Sequence, residues 1–146
     1  MNWAKKARLV RKRGTRLVPV AKARPLLADA GALWQRAFEA AFDLGDAVCR
    51  PIWADEPPSP VRLLYDVIVP DVLAAIYGMD EPVPVARLAA SVWETVRAHF
   101  DVDSLSPLGQ TGLRGRVDND VEHIFDAFEA LGAVTSTRGV AKRGVR

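Results

Sequence analysis

The sequence predicts a mainly α protein with short β-hairpins. Three observations carry that expectation. Apolar residues recur at helical period in four separate segments, most clearly at Leu33, Trp34, Ala37, Phe38, Ala41 and Phe42. Two short runs of β-branched or aliphatic residues, 8–12 and 16–20, flank Arg13-Gly14-Thr15, which is turn material. A further such run, 133–137, leads into Arg138-Gly139, a second turn.

Taken in order, residues 1–7 read as a lead-in or short helix carrying Trp3, which has no obvious local partner. The first hairpin follows, with Pro19 restricting its second strand to an edge because proline cannot donate to the ladder. Residues 20–28 should form a short helix, with Pro25 near its start or breaking it. Asp29 stands at the N-cap of the next helix, residues 30–44, and Gly45 at its C′ position. Residues 46–60 are rich in proline and acid, as a linker or long surface loop, with Ile52 and Trp53 as anchors. Residues 61–77 are helical by period, kinked or split at Pro70 and closed by Gly78. A second helix spans 85–100 with Leu88, Ala89, Val92, Trp93 and Val96 as its stripe. Pro107, Gly109, Gly112 and Gly115 mark 101–116 as a loop, and a third helix runs over 118–131. Trp34, Phe38, Leu64, Leu88, Trp93, Phe125 and Phe128 are the expected core.

The domain reading is then 1–46, a basic hairpin plus helix pair; 47–60, the linker; and 61–146, a helical unit, with one compact domain overall as the alternative. Helix, helix, helix, strand, turn in the second half is the order of a winged helix, and the first half ends one such module. The fold class is therefore winged-helix-like α+β, tandem or degenerate. The order begins on a wing and stops just after one, as a fragment or a shortened relative would.

Composition bounds the function. At 146 residues with 49% hydrophobic and 26% charged residues, the chain can bury an ordinary core without staples. A single cysteine, Cys49, forms no internal disulfide and fits a reducing, cytoplasmic setting. Pro70 and Asp71 interrupt the best apolar run, which falls short of the ~18 residues of a membrane span, so no membrane partner is expected. Net charge is only +2, but residues 1–24 hold nine Lys or Arg and no acid, and 138–146 hold four and none. The middle keeps seven basic residues against all 18 acidic ones, a net of −11. Such segregation lets a basic end attract phosphate while the body repels it, or lets the ends lie against an acidic body of the same or a neighbouring molecule.

The run LVRKRGTRLVPVAKARPLLADAGALWQRAF resembles a pattern in uncharacterised proteins of high-GC bacteria, in which a wing hairpin leads to a helix pair. In some of those proteins this region follows a domain similar to the plasmid ORF-3 family. The later run VEHIFDAFEALGAVTSTRG looks like the third helix and first wing strand of winged-helix proteins. Val20, Ala23 and Pro25 depart from the pattern's Thr, Gly and Ala. The resemblance implies a fold and no activity.

Seven cations, Lys5, Lys6, Arg8, Arg11, Lys12, Arg13 and Arg16, surround the first hairpin, and phosphate contacts from such residues give salt-dependent, sequence-independent attraction. Arg8, Arg11, Lys12, Arg13, Arg16 and Lys22 are accordingly the candidate nucleic-acid contacts. The third helix argues the other way. Asp118, Asp120, Glu122, Asp126 and Glu129 make it acidic, with His123 and the preceding Arg114 and Arg116 as the only relief. The stretch 101–117 also exceeds the ~3–4-residue turn of a helix-turn-helix.

Enzyme chemistry finds little support. Asp101-Val102-Asp103 beside His99 has cation-binding spacing, but a Ca²⁺ loop begun there meets Ser106 and Gly112 where Gly and Glu are needed, so a solvated turn is expected. His123 with Asp120 and Asp126 reads as an exposed face, and Cys49, near only Arg50, as a buried thiol. No phosphate-cradling or dinucleotide glycine motif occurs. The expectation is a non-enzymatic protein without cofactor or metal. Its partner is nucleic acid bound non-specifically or, alternatively, a protein partner or a second copy in an interaction module of the same fold.

Overall fold

A computed structural model describes residues 2–49, 57–137 and 140–143. The chain is mainly helical with antiparallel hairpins, and it divides into two compact units, Met1–Ala47 and Val48–Arg146. Ile52, Trp53 and the Arg138-Gly139 turn lie outside the described residues.

In the first unit, α1 (Asn2–Lys6) leads into β1 (Val10–Arg13) and β2 (Arg16–Pro19). A 3-10 segment (Ala21–Ala28) and α2 (Ala30–Ala41) follow. The segment at 21–28 is 3-10, and Pro25 sits inside it, where in an α-helix its ring would clash with the carbonyl four residues earlier. Asp29 caps α2 by accepting from the Ala32 amide at 3.0 Å, as its position in the sequence suggests. The helix ends at Ala41, however, and Gly45 opens the short α3 (Gly45–Val48) instead of closing α2.

Trp3 does find a partner: its indole Nε1 donates to the Ala37 carbonyl at 2.6 Å, tying α1 to α2. Among the described residues the buried positions of this unit are small, at Ala7, Ala23, Ala40 and Ala41, with Leu44 the exception. Trp34 and Phe38 are half-buried rather than core. They stack at 5.0 Å with planes 11° apart, and Phe42 meets Phe38 edge-on at 5.5 Å. With alanines filling the interior, the large rings lie along its margin.

In the second unit, α4 (Pro60–Leu63) and α5 (Tyr65–Tyr77) are separated at Leu64, which leaves helical geometry and is only half-buried. The break therefore precedes Pro70, which sits within α5. Its missing donor removes the i→i−4 bond to the Asp66 carbonyl, and both residues are exposed, so water can reach this turn. Ser59 caps α4 from the Arg62 amide at 3.2 Å. Then come β3 (Val83–Pro84), α6 (Val85–His99), a 3-10 turn (Val102–Ser104), α7 (Pro107–Ala130), β4 (Val134–Thr137) and β5 (Val140–Arg143). The sheet is antiparallel in the order β3-β5-β4, with Ala141 of the central strand opposite both Val83 and Ser136. The core comes from helical stripes: Ile68, Val69, Val72, Leu73 and Ile76 on α5, Leu88, Val92 and Val96 on α6, and Val121, Ile124, Phe125 and Phe128 on α7. Trp93 is half-buried at the margin.

The largest departure from the sequence reading is at 101–116. It is not a loop: α7 begins at Pro107 and runs 24 residues, carrying Gly109, Gly112 and Gly115 inside it. Ser106 caps it by accepting from the Gly109 amide at 3.2 Å, and proline is tolerated at the first position because that donor would be orphaned anyway. The connection from α6 to α7 is therefore only residues 100–106.

Candidate nucleic-acid interface

The hairpin's register decides what its cations can do. Only Gly14 and Thr15 lie outside the strands, and Gly14 has φ +61°, the left-handed value that a two-residue II′ turn requires at its first position. Arg13 thus belongs to the strand rather than the turn, and it pairs directly with Arg16. Arg11 pairs with Val18, Lys12 with Leu17 and Val10 with Pro19. Strand alternation then places Arg11, Arg13 and Arg16 on one face with Val18, and Lys12 on the other with Val10, Leu17 and Pro19. Three guanidiniums share a face that holds no carboxylate.

Residues directly opposite across an antiparallel ladder have Cβ atoms ~4.5–5.5 Å apart, so Arg13 and Arg16 repel each other unless an anion lies between them. Arg8, Arg11, Lys12, Arg13, Arg16 and Lys22 are all exposed, and none forms an ion pair with a described residue. The structure brings five of the six onto or beside the hairpin; Lys22 lies on the 3-10 segment that follows.

Arg8 holds a special place. Its φ is +56°, the only non-glycine positive φ among the described residues. The Arg8 amide donates to the Lys5 carbonyl at 3.0 Å and the Leu9 amide to the Ala4 carbonyl at 2.9 Å. Those two bonds form a Schellman closure of α1 with an arginine where glycine is favoured. Arg36 braces the same corner: its Nε donates to the Ala7 carbonyl at 3.2 Å while its Nη1 stands 3.7 Å from Glu39. A polar hollow of about 200 Å³ beside this corner is ringed by Lys6, Arg8 and Arg36 but also by Glu39 and Asp43, so its charges largely cancel. The uncompensated positive charge lies on the hairpin face, not in this hollow.

The sequence reading missed the shared face because it gave Arg13 to a three-residue turn. The signal was present, since Gly-X is the pair that a II′ hairpin turn demands.

In the second unit the acidic residues of α7 divide. Asp120 is buried, so it cannot join His123 and Asp126, which are exposed, as a ligand set. Asp118 accepts from Arg114 Nε at 2.9 Å, and that guanidinium also lies 5.3 Å from the Trp93 ring centroid. Arg116 donates to the Pro57 carbonyl at 2.8 Å. Both arginines before the acidic stretch are therefore engaged, and Glu122 and Asp126 form a carboxylate ridge at i, i+4 spacing.

Asp103 is held by Arg97 at 3.2 Å and the Ser104 hydroxyl donates to the Asp101 carbonyl at 2.8 Å, so the D-x-D segment is a braced turn. Among the described residues no group of three His, Cys, Asp or Glu could hold a metal ion. Burial, and secondarily the Asp120 charge, push the Cys49 thiol up to about 12 against the opposing pull of Arg62, which keeps it protonated and a poor nucleophile. Among the described residues no helix is long and apolar enough to cross a membrane.

No family model matches the chain, and neither a curated protein nor a solved structure shows significant similarity to it.

Proposed function

We propose that this is a non-enzymatic protein of winged-helix type that associates with nucleic acid through the β1–β2 hairpin. The observation that carries the reading is the single hairpin face bearing Arg11, Arg13 and Arg16 with no carboxylate on it. Such a face repels itself in isolation and is relieved by a row of phosphates, which guanidiniums bind bidentately. In the second unit, the order α5–β3–α6–α7–β4–β5 with β5 between β3 and β4 supports the winged-helix assignment. Its α7 exposes Glu122 and Asp126 where a groove-reading helix needs Arg, Lys, Asn or Gln, so this unit serves as scaffold rather than reader. Binding is then backbone-directed and non-specific.

The test is a salt titration with random duplex DNA. If about five of the cations meet phosphates, log affinity falls against log salt with a slope near −4 to −5. The triple variant Arg11→Gln, Arg13→Gln, Arg16→Gln flattens that slope by about 2.7 while leaving thermal stability intact. The exposed Glu122–Asp126 ridge favours a second reading, a protein-interaction module of the same fold. Absence of DNA binding even at low salt selects that reading. A marked loss of stability in the triple variant instead shows the arginines pairing within the protein.

A further inference from the structure

The second unit contains a groove unrelated to the hairpin. It lies between α5 and α6, encloses about 200 Å³, and has an apolar floor of Ile68, Val72, Leu88 and Val92, all of them buried. Two charges of opposite sign stand on its rim, Asp71 on α5 and Arg87 on α6. Both are exposed, and neither makes an ion pair with the other or with any described residue. The space exists because both helices place short side chains there, Ala75 and Ser91, where a longer one would fill it.

We propose that this groove binds a small zwitterion with one apolar side chain, a free aliphatic or aromatic amino acid. Size sets the class. A cavity of ~150 Å³ accepts a benzene-sized group, whereas drug-sized ligands need ~300 Å³ or more, so one isobutyl or benzyl group fits and a long peptide does not. Charge sets the rest. The ammonium pairs with the Asp71 carboxylate and the carboxylate with the Arg87 guanidinium, each a charge-assisted hydrogen bond, while the side chain lies on the valine and leucine floor. A ligand with only one charge leaves one rim group without its partner, and a zwitterion without a side chain leaves the floor wet. The site is independent of the nucleic-acid reading, and loss of either leaves the other standing.

The experiment follows methyl signals of Ile68, Val72, Leu88 and Val92 in the isotopically labelled full chain during titration with leucine and with phenylalanine. Saturable shifts are expected with at least one of them. Glycine and isovalerate, which lack the side chain and the ammonium group respectively, bind at least about tenfold more weakly. Asp71→Asn and Arg87→Gln, both at exposed positions, each weaken binding about tenfold with unchanged melting temperature. Ala75→Leu occupies the groove and abolishes the shifts. The proposal fails if neither amino acid gives a saturable shift, if isovalerate binds as well as leucine, or if both charge variants bind undiminished. It fails too if the same methyls shift with protein concentration alone, which assigns the groove to a second copy of the chain.

Discussion

Two residues occupy the same structural position in this protein and meet it differently. Gly132 closes α7 with φ +68°, its amide donating to the Glu129 carbonyl at 2.8 Å and the Ala133 amide to the Phe128 carbonyl at 2.9 Å. Arg8 closes α1 with the same pair of bonds at φ +56°. For a residue with a Cβ the left-handed region costs roughly 1–2 kcal/mol, and glycine is free of that cost. Backbone strain of this kind persists where the surroundings over-determine it, and here Arg36 holds the adjoining Ala7 carbonyl. Arg8→Gly is therefore expected to raise unfolding free energy by about 1 kcal/mol in urea, despite removing a long side chain. The same variant weakens DNA binding and flattens the salt slope by about 0.9, the share of one phosphate contact. Stability unchanged or lowered would mean that the Arg8 side chain supports the fold, and that its place at the corner is not a functional compromise.

At the scale of elements, α7 shows where sequence signals and tertiary structure part. Gly109, Gly112 and Gly115 each disfavour helix by ~0.8–1.0 kcal/mol relative to alanine, which is why residues 101–116 read as a loop. The helix forms because Ser106 caps it, Arg114 reaches both Asp118 and the Trp93 ring, and Arg116 holds the Pro57 carbonyl. None of those ties across α6 or to Pro57 is visible in local sequence. The stripes of α5, α6 and the later part of α7 were legible, because a 3.6-residue period in apolar side chains has one simple solution. The alanine interior of the first unit was not, since aromatic side chains dominate any count of apolar area while alanines fill the narrow contacts. Space at the glycines makes this account testable. A Cβ at Gly112 or Gly115 would meet nothing within 4 Å, so Gly112→Ala and Gly115→Ala should each stabilise the protein by about 0.8–1 kcal/mol, additively. Gly78 is the contrasting control. Its φ is −81°, but a Cβ there would lie 2.8 Å from the Ala74 carbonyl oxygen, so Gly78→Ala is destabilising for a reason of space rather than torsion.

Over the whole molecule the net charge of +2 conceals nine cations at 1–24, four at 138–146 and a middle segment of −11. That segregation was plain in the sequence; what it lacked was which cations share a face, a matter of one residue in the hairpin turn. A chain so divided meets a polyanion with attraction from its basic stretches and repulsion from its acidic middle. The repulsive part acts through the long-range field, because Glu122 and Asp126 in this reading touch no phosphate. Fields between exposed charges fade over a Debye length, ~8 Å at 0.15 M salt and ~30 Å at 0.01 M. Neutralising the ridge with Glu122→Gln and Asp126→Asn should therefore tighten DNA binding at about 0.01 M salt and change it little at 0.15 M and above. The same pair of changes also removes an i, i+4 like-charge contact, so stability should rise by a few tenths of a kcal/mol rather than fall. Affinity measured across salt separates the two possible places for α7. A gain confined to low salt keeps the helix away from the duplex, whereas a gain that persists at 0.15 M and above would put α7 against the phosphates and overturn the assignment of binding to the hairpin alone.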